Sequence, residues 1–319
     1  MTDSSRSLDD LGSFAFKTAE PEELAARGEA LAWKAEYVAT QPGFQAEVAV
    51  ARARASQVVR IDFRSPTIAV GEPPENHFIF SIPLRIREPV RFGGERMDRS
   101  SVGIFWPSSE YQFCTTGAAA FILIAVEQER LDVLARSRSA LGQLIEAGSP
   151  VWQVRDFELI RSLAARLSAR MESAIARPAA WQDDPVARML ETRLSAALIE
   201  GLESQKRRPP LRHAAARRAA SYLRSHWAQP IRLRDIRTAA GVSERGLRAG
   251  FEDVYGCSPT TYLRFLRHHA VRSRLRREGG RVGDIALACG FRNLGDFSIE
   301  YRKIFGETPS STRRAARSV

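Results

Sequence analysis

The chain has 319 residues, 44% hydrophobic and 27% charged, a globular composition with room for two domains, and its formal net charge is +11. No apolar run approaches the length of a membrane span. The polar start MTDSSRSLDDLG reads as no secretory signal, and Cys114, Cys257 and Cys289, far apart and without a C-x-x-C, read as free thiols in a reducing cytoplasm. The charge is lopsided: residues 211–319 hold 22 Lys+Arg against 9 Asp+Glu, whereas residues 1–210 hold 26 against 28. A basic third on a near-neutral remainder points to a polyanion, nucleic acid before membrane. The plain alternative is a solvated, arginine-rich surface.

PEELAARGEALAWKAEYV, residues 21–38, predicts a helix, with proline and two glutamates suited to its first turn. From about residue 45 to 126 the texture changes to short β-prone runs: FQAEVAV, QVVRIDF, TIAVG, HFIFSIPL, VGIFW, EYQFC and AFILIAV. Turn signals such as GEPPEN and FGGERMDRSS separate them. Short strands at this spacing predict an antiparallel barrel or sandwich. Helical periodicity follows in EQERLDVLARS, DFELIRSLAARLSARMESAIA and DPVARMLETRLSAALIEGLES. Leu159, Leu163, Leu167 and Met171 recur every four residues as one apolar stripe, which either packs on the strands or pairs two copies of the chain. SQKRRPPL, residues 204–211, reads as a charged, proline-stopped linker.

Beyond the linker every segment reads helical, and one pattern occurs twice. In the first copy Leu233, Ile236 and Ala240 share a helix face, Gly241 makes a tight turn, and Ser243 is placed to cap the next helix, whose buried face holds Leu247 and Phe251. This is a helix-turn-helix, a short helix and tight turn before a helix free to enter a major groove. Arg245 and Arg248 lie outward near the start of that second helix, where an arginine reaches guanine O6/N7 or a phosphate; ordinary solvated arginines are the alternative. In the second copy Val282, Ile285 and Ala288/Cys289 face inward, Gly290 turns, Asn293 caps, and Phe297 with Tyr301 is buried. A helix over about 19 residues joins the copies and spans roughly 28 Å, against about 34 Å between successive groove faces.

D-I-x-x-A-A-G-V-S-x-R-x-L-x-x-x-F at 235–251 and G-x-S-P-x-x-Y-L-x-x-x-R at 256–267 carry a family resemblance, as do I-A-x-x-C-G-F at 285–291 and L-G-D-F-S-x-x-Y-R-x-x-F-G-E-x-P-S at 294–310. Residues from about 213 to 314, a third of the chain, resemble the DNA-binding domain of the AraC/XylS family of bacterial transcription regulators. The resemblance implies an α+β multidomain protein with a cupin-like β-barrel and flanking helices in its N-terminal part. The C-terminal part is expected to be all-α with two helix-turn-helix motifs, about 232–254 and 282–305. It divides the chain into a sensor unit, 1–130, a helical linker and dimerisation region, 131–205, and the DNA-binding unit, 206–319. It places Arg245, Arg248 and Ala249 in the first reading helix, after Ser243, and Gly295, Asp296 and Ile299 in the second, after Asn293. Ile299 stands where an arginine is frequent. Asp296 either accepts from cytosine N4 or supports its own helix start, the reading we favour, while Arg292, Arg302 and Lys303 grip the backbone.

The implied function is a sequence-specific, ligand-responsive transcriptional activator in the cytoplasm. Its partners are double-stranded DNA, a small-molecule effector, RNA polymerase and a second copy of the chain, with no membrane. The alternatives are a non-specific architectural DNA-binding protein and a barrel enzyme with a nucleic-acid tether. Before residue 211 the only histidine is His77, and no H-x-H, H-E-x-x-H, G-x-S-x-G or phosphate loop occurs, so no catalytic residue, metal or cofactor is expected. Trp33, Phe78, Phe80, Trp106, Tyr111 and Phe113 are candidates to line an effector pocket, with plain core as the competing reading.

Overall fold

The computed structural model describes residues 14–29, 32–53, 56–88, 90–107, 109–129, 131, 150–176, 184–201, 210–277 and 280–316. Residues 204–209 of the expected linker over 204–211 and most of the expected helix over 127–137 lie outside the described residues, and Leu211 already opens a helix.

The N-terminal part is built on two antiparallel sheets. The seven-stranded sheet runs β1 (Phe14–Thr18), β3 (Ala46–Ala53), β4 (Ser56–Phe63), β11 (Ala119–Glu127), β6 (His77–Ile86), β9 (Ser101–Phe105) and β12 (Val151–Gln153). The five-stranded sheet runs β2 (Lys34–Ala39), β5 (Thr67–Glu72), β10 (Tyr111–Thr115), β7 (Val90–Phe92) and β8 (Glu95–Met97). Among the described residues the two sheets stack and do not close into one barrel. All seven expected β-runs are strands.

The long apolar runs are explained by burial on both faces, which removes the usual polar alternation. In β11, Phe121, Leu123 and Ala125 point between the sheets, whereas Ile122, Ile124 and Val126 point outward. Two helices cover that outward face, α2 (Phe157–Ala176) and α3 (Pro185–Gly201), following α1 (Pro21–Glu29) in the chain. The leucine stripe of α2 packs here: Leu163, Leu167 and Met171 are buried against the sheet and α3. Leu159 is 53% exposed, and Ile160 takes the inward place at that turn.

The second sheet is also covered on its outer side, by the C-terminal helices. These are α4 (Leu211–His226), α5 (Leu233–Ala240), α6 (Glu244–Tyr255), α7 (Pro259–Arg277), α8 (Val282–Ala288), α9 (Leu294–Phe305) and α10 (Pro309–Ala316). Val38, Ile68, Val70 and Cys114 form one cluster with Ala215, Ala216 and Ala219 of α4 and with Val254 and Tyr255 of α6. The small side chains of α4 let that helix lie close to α6, which in turn packs on β7 and β10. Gly250 is required for the approach of α4 to α6, since a Cβ there would sit 2.3 Å from the Arg212 carbonyl oxygen.

The helix expected over 21–38 stops at Glu29, and Lys34–Ala39 is a strand paired with β5. Trp33, Ala35 and Tyr37 alternate toward the inter-sheet core, a period of two that the preceding helical pattern hides in the sequence. The Trp33 indole N–H donates to the Tyr111 hydroxyl at 2.6 Å, which fixes the strand's entry.

Val70→Lys tests the docking of the helices on the second sheet. A solvent-facing strand position accepts lysine within about 0.5 kcal/mol, whereas a position buried under α4 and α6 should lose at least about 2 kcal/mol in denaturant unfolding.

Candidate nucleic-acid interface

The two copies of the repeated pattern fold alike. In the first, Ile236 and Ala240 bury the inner face of α5. Gly241 closes the helix at φ +67, donating its N–H to the Arg237 carbonyl. Arg218 of α4 donates to the Ala240 carbonyl at 2.5 Å, satisfying another oxygen that the helix end leaves open. The Ser243 hydroxyl accepts from the Gly246 N–H at 3.2 Å, so the predicted cap is present. Leu247, Phe251 and Val254 then bury one side of α6.

In the second copy Ile285, Ala286 and Cys289 are buried, and Gly290 turns at φ +86. The Asn293 side-chain oxygen accepts from the N–H groups of Gly295 and Asp296, at 3.0 and 3.2 Å. Phe297 and Tyr301 are buried, and the Tyr301 hydroxyl bonds Thr312 of α10 at 2.9 Å. The extra residue of this copy lies in the turn, before the cap. Both motifs leave by a left-handed glycine, Gly256 at φ +66 and Gly306 at φ +75, before Pro259 and Pro309 start the next helices.

With the inner faces fixed by packing, the outer faces are free for recognition. Arg245, Arg248 and Ala249 are exposed on α6. Arg248 pairs with Glu244 one turn back at 2.8 Å, which orients its guanidinium along the helix. On the second motif Arg292, Asn293, Gly295, Asp296, Arg302 and Lys303 are exposed, and Ile299 is 58% exposed. Asp296 accepts from the Asn293 side-chain amide at 2.7 Å, so its carboxylate is engaged in the helix cap.

One residue without an assigned role in the sequence reading sets how the motifs sit together. α7 belongs to both cores: Tyr262 and Leu263 pack with the first motif, Val271 and Leu275 with the second. Midway between them, Arg267 donates to the Trp227 carbonyl at 2.8 Å, the Gln229 carbonyl at 2.8 Å and the Gly290 carbonyl at 3.2 Å. It thus ties the loop before the first motif to the turn of the second. Burial, with the neighbouring Arg292 charge, pushes its pKa below the usual arginine value, and the carbonyl oxygens compensate part of the lost hydration. Arg264 adds an ion pair from α7 to Glu300 of α9 at 2.6 Å. His268 lies within the second core, 4.5 Å from the Phe291 ring, and burial holds its pKa below the usual histidine value.

The match to known proteins lies in this region. Residues 236–315 match the family model described as a helix-turn-helix domain. A probable thc operon regulatory protein of Rhodococcus erythropolis is 36% identical over 103 residues, 31% of this chain and 30% of that protein. The HTH-type transcriptional activator RhaR of Pectobacterium carotovorum is 36% identical over 92 residues, 29% of this chain and 32% of that protein. A solved structure of a probable AraC family transcriptional regulator from Rhodopseudomonas palustris is 34% identical, with a TM-score of 0.31, over 32% of this chain and 96% of that one. The C-terminal third of the chain is an AraC-type helix-turn-helix domain. The chain spans about a third of the length of the curated relatives it matches.

This AraC-type domain is docked by α6 as well as by its core. Arg91 of β7 donates to the Asp253 carbonyl of α6 at 3.3 Å, and the Cys114 thiol of β10 lies 3.4 Å from the Tyr255 carbonyl oxygen. The Asp253 carboxylate is held by Arg212 at 2.6 Å and His213 at 3.2 Å. Burial raises the Asp253 pKa, but the bonds from Arg212 and His213 outweigh it and leave a net lowering. Burial lowers the His213 pKa despite that carboxylate. At the far end of the domain, Glu20 pairs with Arg272 and Arg276 of α7, both at 2.5 Å.

The six aromatic candidates do not converge on one pocket. Trp33, Tyr111 and Phe113 lie between the sheets, where the free space is about 40 Å³, room for little more than one water. Phe78 and Phe80 lie on the opposite face of the seven-stranded sheet, under α2 and α3. Trp106 packs edge-on against Phe78 at 5.7 Å and lines a separate, larger cleft. Among the described residues no group of three His, Cys, Asp or Glu side chains is placed to hold a metal, and no helix is long and apolar enough to cross a membrane.

Arg267→Lys tests the tie between the motifs. A single ammonium on a flexible stem does not reproduce the planar fork. The variant should lose about 1–3 kcal/mol of stability from unpaired carbonyls, read by denaturant unfolding, while Arg264→Lys at the exposed ion pair should change it by no more than about 1 kcal/mol.

Proposed function

We propose that the chain is a sequence-specific transcription regulator that binds double-stranded promoter DNA through α6 and α9 and acts as a ligand-responsive activator. The observation that carries this reading is the pair of like-built motifs held on one shared helix inside a segment with 22 Lys+Arg and 9 Asp+Glu. The relatives it matches include proteins described as transcriptional activators. In this reading Arg245, Arg248 and Ala249, after Ser243, face base edges in one groove segment. Asn293, Gly295, Asp296 and Ile299 dock in the next, with Ile299 suited to a thymine methyl. Arg292, Arg302 and Lys303 hold phosphates. A cleft of about 700 Å³ between the motifs is lined by Arg232, Arg264, Arg267 and Arg292 against Asp296 and Glu300, a net basic floor under the backbone that crosses from one groove to the next.

The sheet-rich part, 1–130, serves as a cupin-like sensor, residues 131–205 as a linking and dimerising region, and 206–319 as the DNA-binding unit. Exposed Leu159, Val186 and Met189 on α2 and α3 support self-association. RNA polymerase is the partner such an activator needs, and the cytoplasm is where it meets it.

Affinity of the intact chain for its selected duplex should fall steeply with salt, because each arginine–phosphate contact releases counterions. Arg245→Ala should cost about 1–3 kcal/mol and relax preference at one base pair in a competition assay. A uniform loss over all sequences reassigns Arg245 to phosphate. Equal binding of specific and random duplexes by the wild type contradicts the reading and favours an architectural protein.

A further inference from the structure

A cleft lies beside the sheets, outside the filled inter-sheet core. A cleft of about 490 Å³ opens between the β9–β10 region and α4, lined by Phe92, Phe105, Trp106, Tyr111 and Pro150 on one side and Arg217 on the other. Its size is within the range of small-ligand pockets, and its make-up is theirs, a mostly apolar wall with a few polar groups.

The charges around it are sorted. Glu110 is neutralised by its ion pair with Arg224 and accepts from the Gln112 amide at 2.8 Å. Arg218 is bound to the Ala240 carbonyl. Arg217 also lines the cleft, yet among the described residues its guanidinium has no hydrogen bond or ion pair. An apolar wall facing an unpaired planar cation is complementary to a molecule with an apolar body and one anionic, planar, bidentate head.

We propose that this cleft binds a small monocarboxylate with an aromatic or short aliphatic body, its carboxylate on Arg217 and its body against Phe92, Phe105 and Trp106. The inference deepens the reading of the chain as a ligand-responsive regulator and rests on it for the consequence. A molecule held there touches both the sheets and α4, the helix whose Arg212 and His213 hold Asp253 of the first reading helix.

The test is calorimetric titration of the intact chain with 4-phenylbutanoate and octanoate, each beside its alcohol, 4-phenylbutanol and octanol. Each acid should bind at a single site at least about 10-fold more tightly than its alcohol, the size expected of a charged hydrogen bond. Arg217→Met, which keeps the stem and removes the charge, should bring acid and alcohol within about twofold of each other. Ser221→Trp, placed to fill the cleft from α4, should abolish binding of all four probes and gives a second test should the first variant fold poorly. Saturable binding of neither acid overturns the proposal, as does an acid preference unchanged in Arg217→Met or binding unchanged in Ser221→Trp. DNA binding by the same preparations is scored separately. Its absence contradicts the regulator reading and leaves the titration standing, whereas absent acid binding alone overturns only the cleft assignment.

Discussion

The arrangement of the two motifs depends on one guanidinium. Arg267 bonds three main-chain carbonyls from two separate segments: Trp227 and Gln229 ahead of the first motif, and Gly290 in the turn of the second. Two small helical cores joined by a helix can rotate about it. A planar fork held by three fixed acceptors removes that freedom. The fork also explains the turn glycine. Gly290 adopts φ +86, and a Cβ there would lie 2.9 Å from the Arg267 guanidinium carbon, so both its backbone and its bareness are required. The outward faces of α6 and α9 are thereby presented as one surface rather than two independent ones.

The second constraint is the use of both faces of both sheets. α2 and α3 take the outer face of one, and the C-terminal helices, α6 and α7 directly, take the outer face of the other. The first reading helix is thus part of the wall of the sheet-rich unit. Its C-terminal end is fixed by Arg91, by contact with Cys114 and by the Arg212–His213–Asp253 cluster, while its N-terminal end, with Arg245 and Arg248, stays in solvent. A change in how the second sheet packs on the C-terminal helices has a short path to the end of α6 that carries Arg245 and Arg248. Helix α7 also reaches the N-terminal part through ion pairs of Glu20 with Arg272 and Arg276 and through a bond from His269 to the Ala39 carbonyl.

Much of this was legible in the sequence because the motifs are local. Gly turns, Ser243 and Asn293 caps and Gly-x-x-Pro exits are short-range chemistry, and each is found where its spacing puts it. The central strands were legible from their apolar runs. Strand β2 was not, because the helical residues before it mask its alternation and its partner, Thr67–Glu72, lies some thirty residues away. The aromatic residues named for a pocket are divided between the inter-sheet core, with Trp33, Tyr111 and Phe113, and the helix-covered outer face of the seven-stranded sheet, with Phe78 and Phe80, because the face a strand residue takes depends on register, which a list of aromatics does not carry. The role of Arg267 was hidden for a different reason. Its acceptors are main-chain oxygens, which no residue type announces. Gly250 was hidden likewise, because its reason is the approach of a backbone from another helix.

The central claim is that two reading helices, fixed on one scaffold, address adjacent groove segments on one side of a duplex. Selection of genomic fragments by the intact chain, followed by alignment of the bound sequences, tests it most directly. The account predicts a motif of two blocks about one helical turn apart, roughly 10 base pairs centre to centre, with stronger base preference in the block read by α6. A single block, or no enriched sequence at low salt, contradicts it.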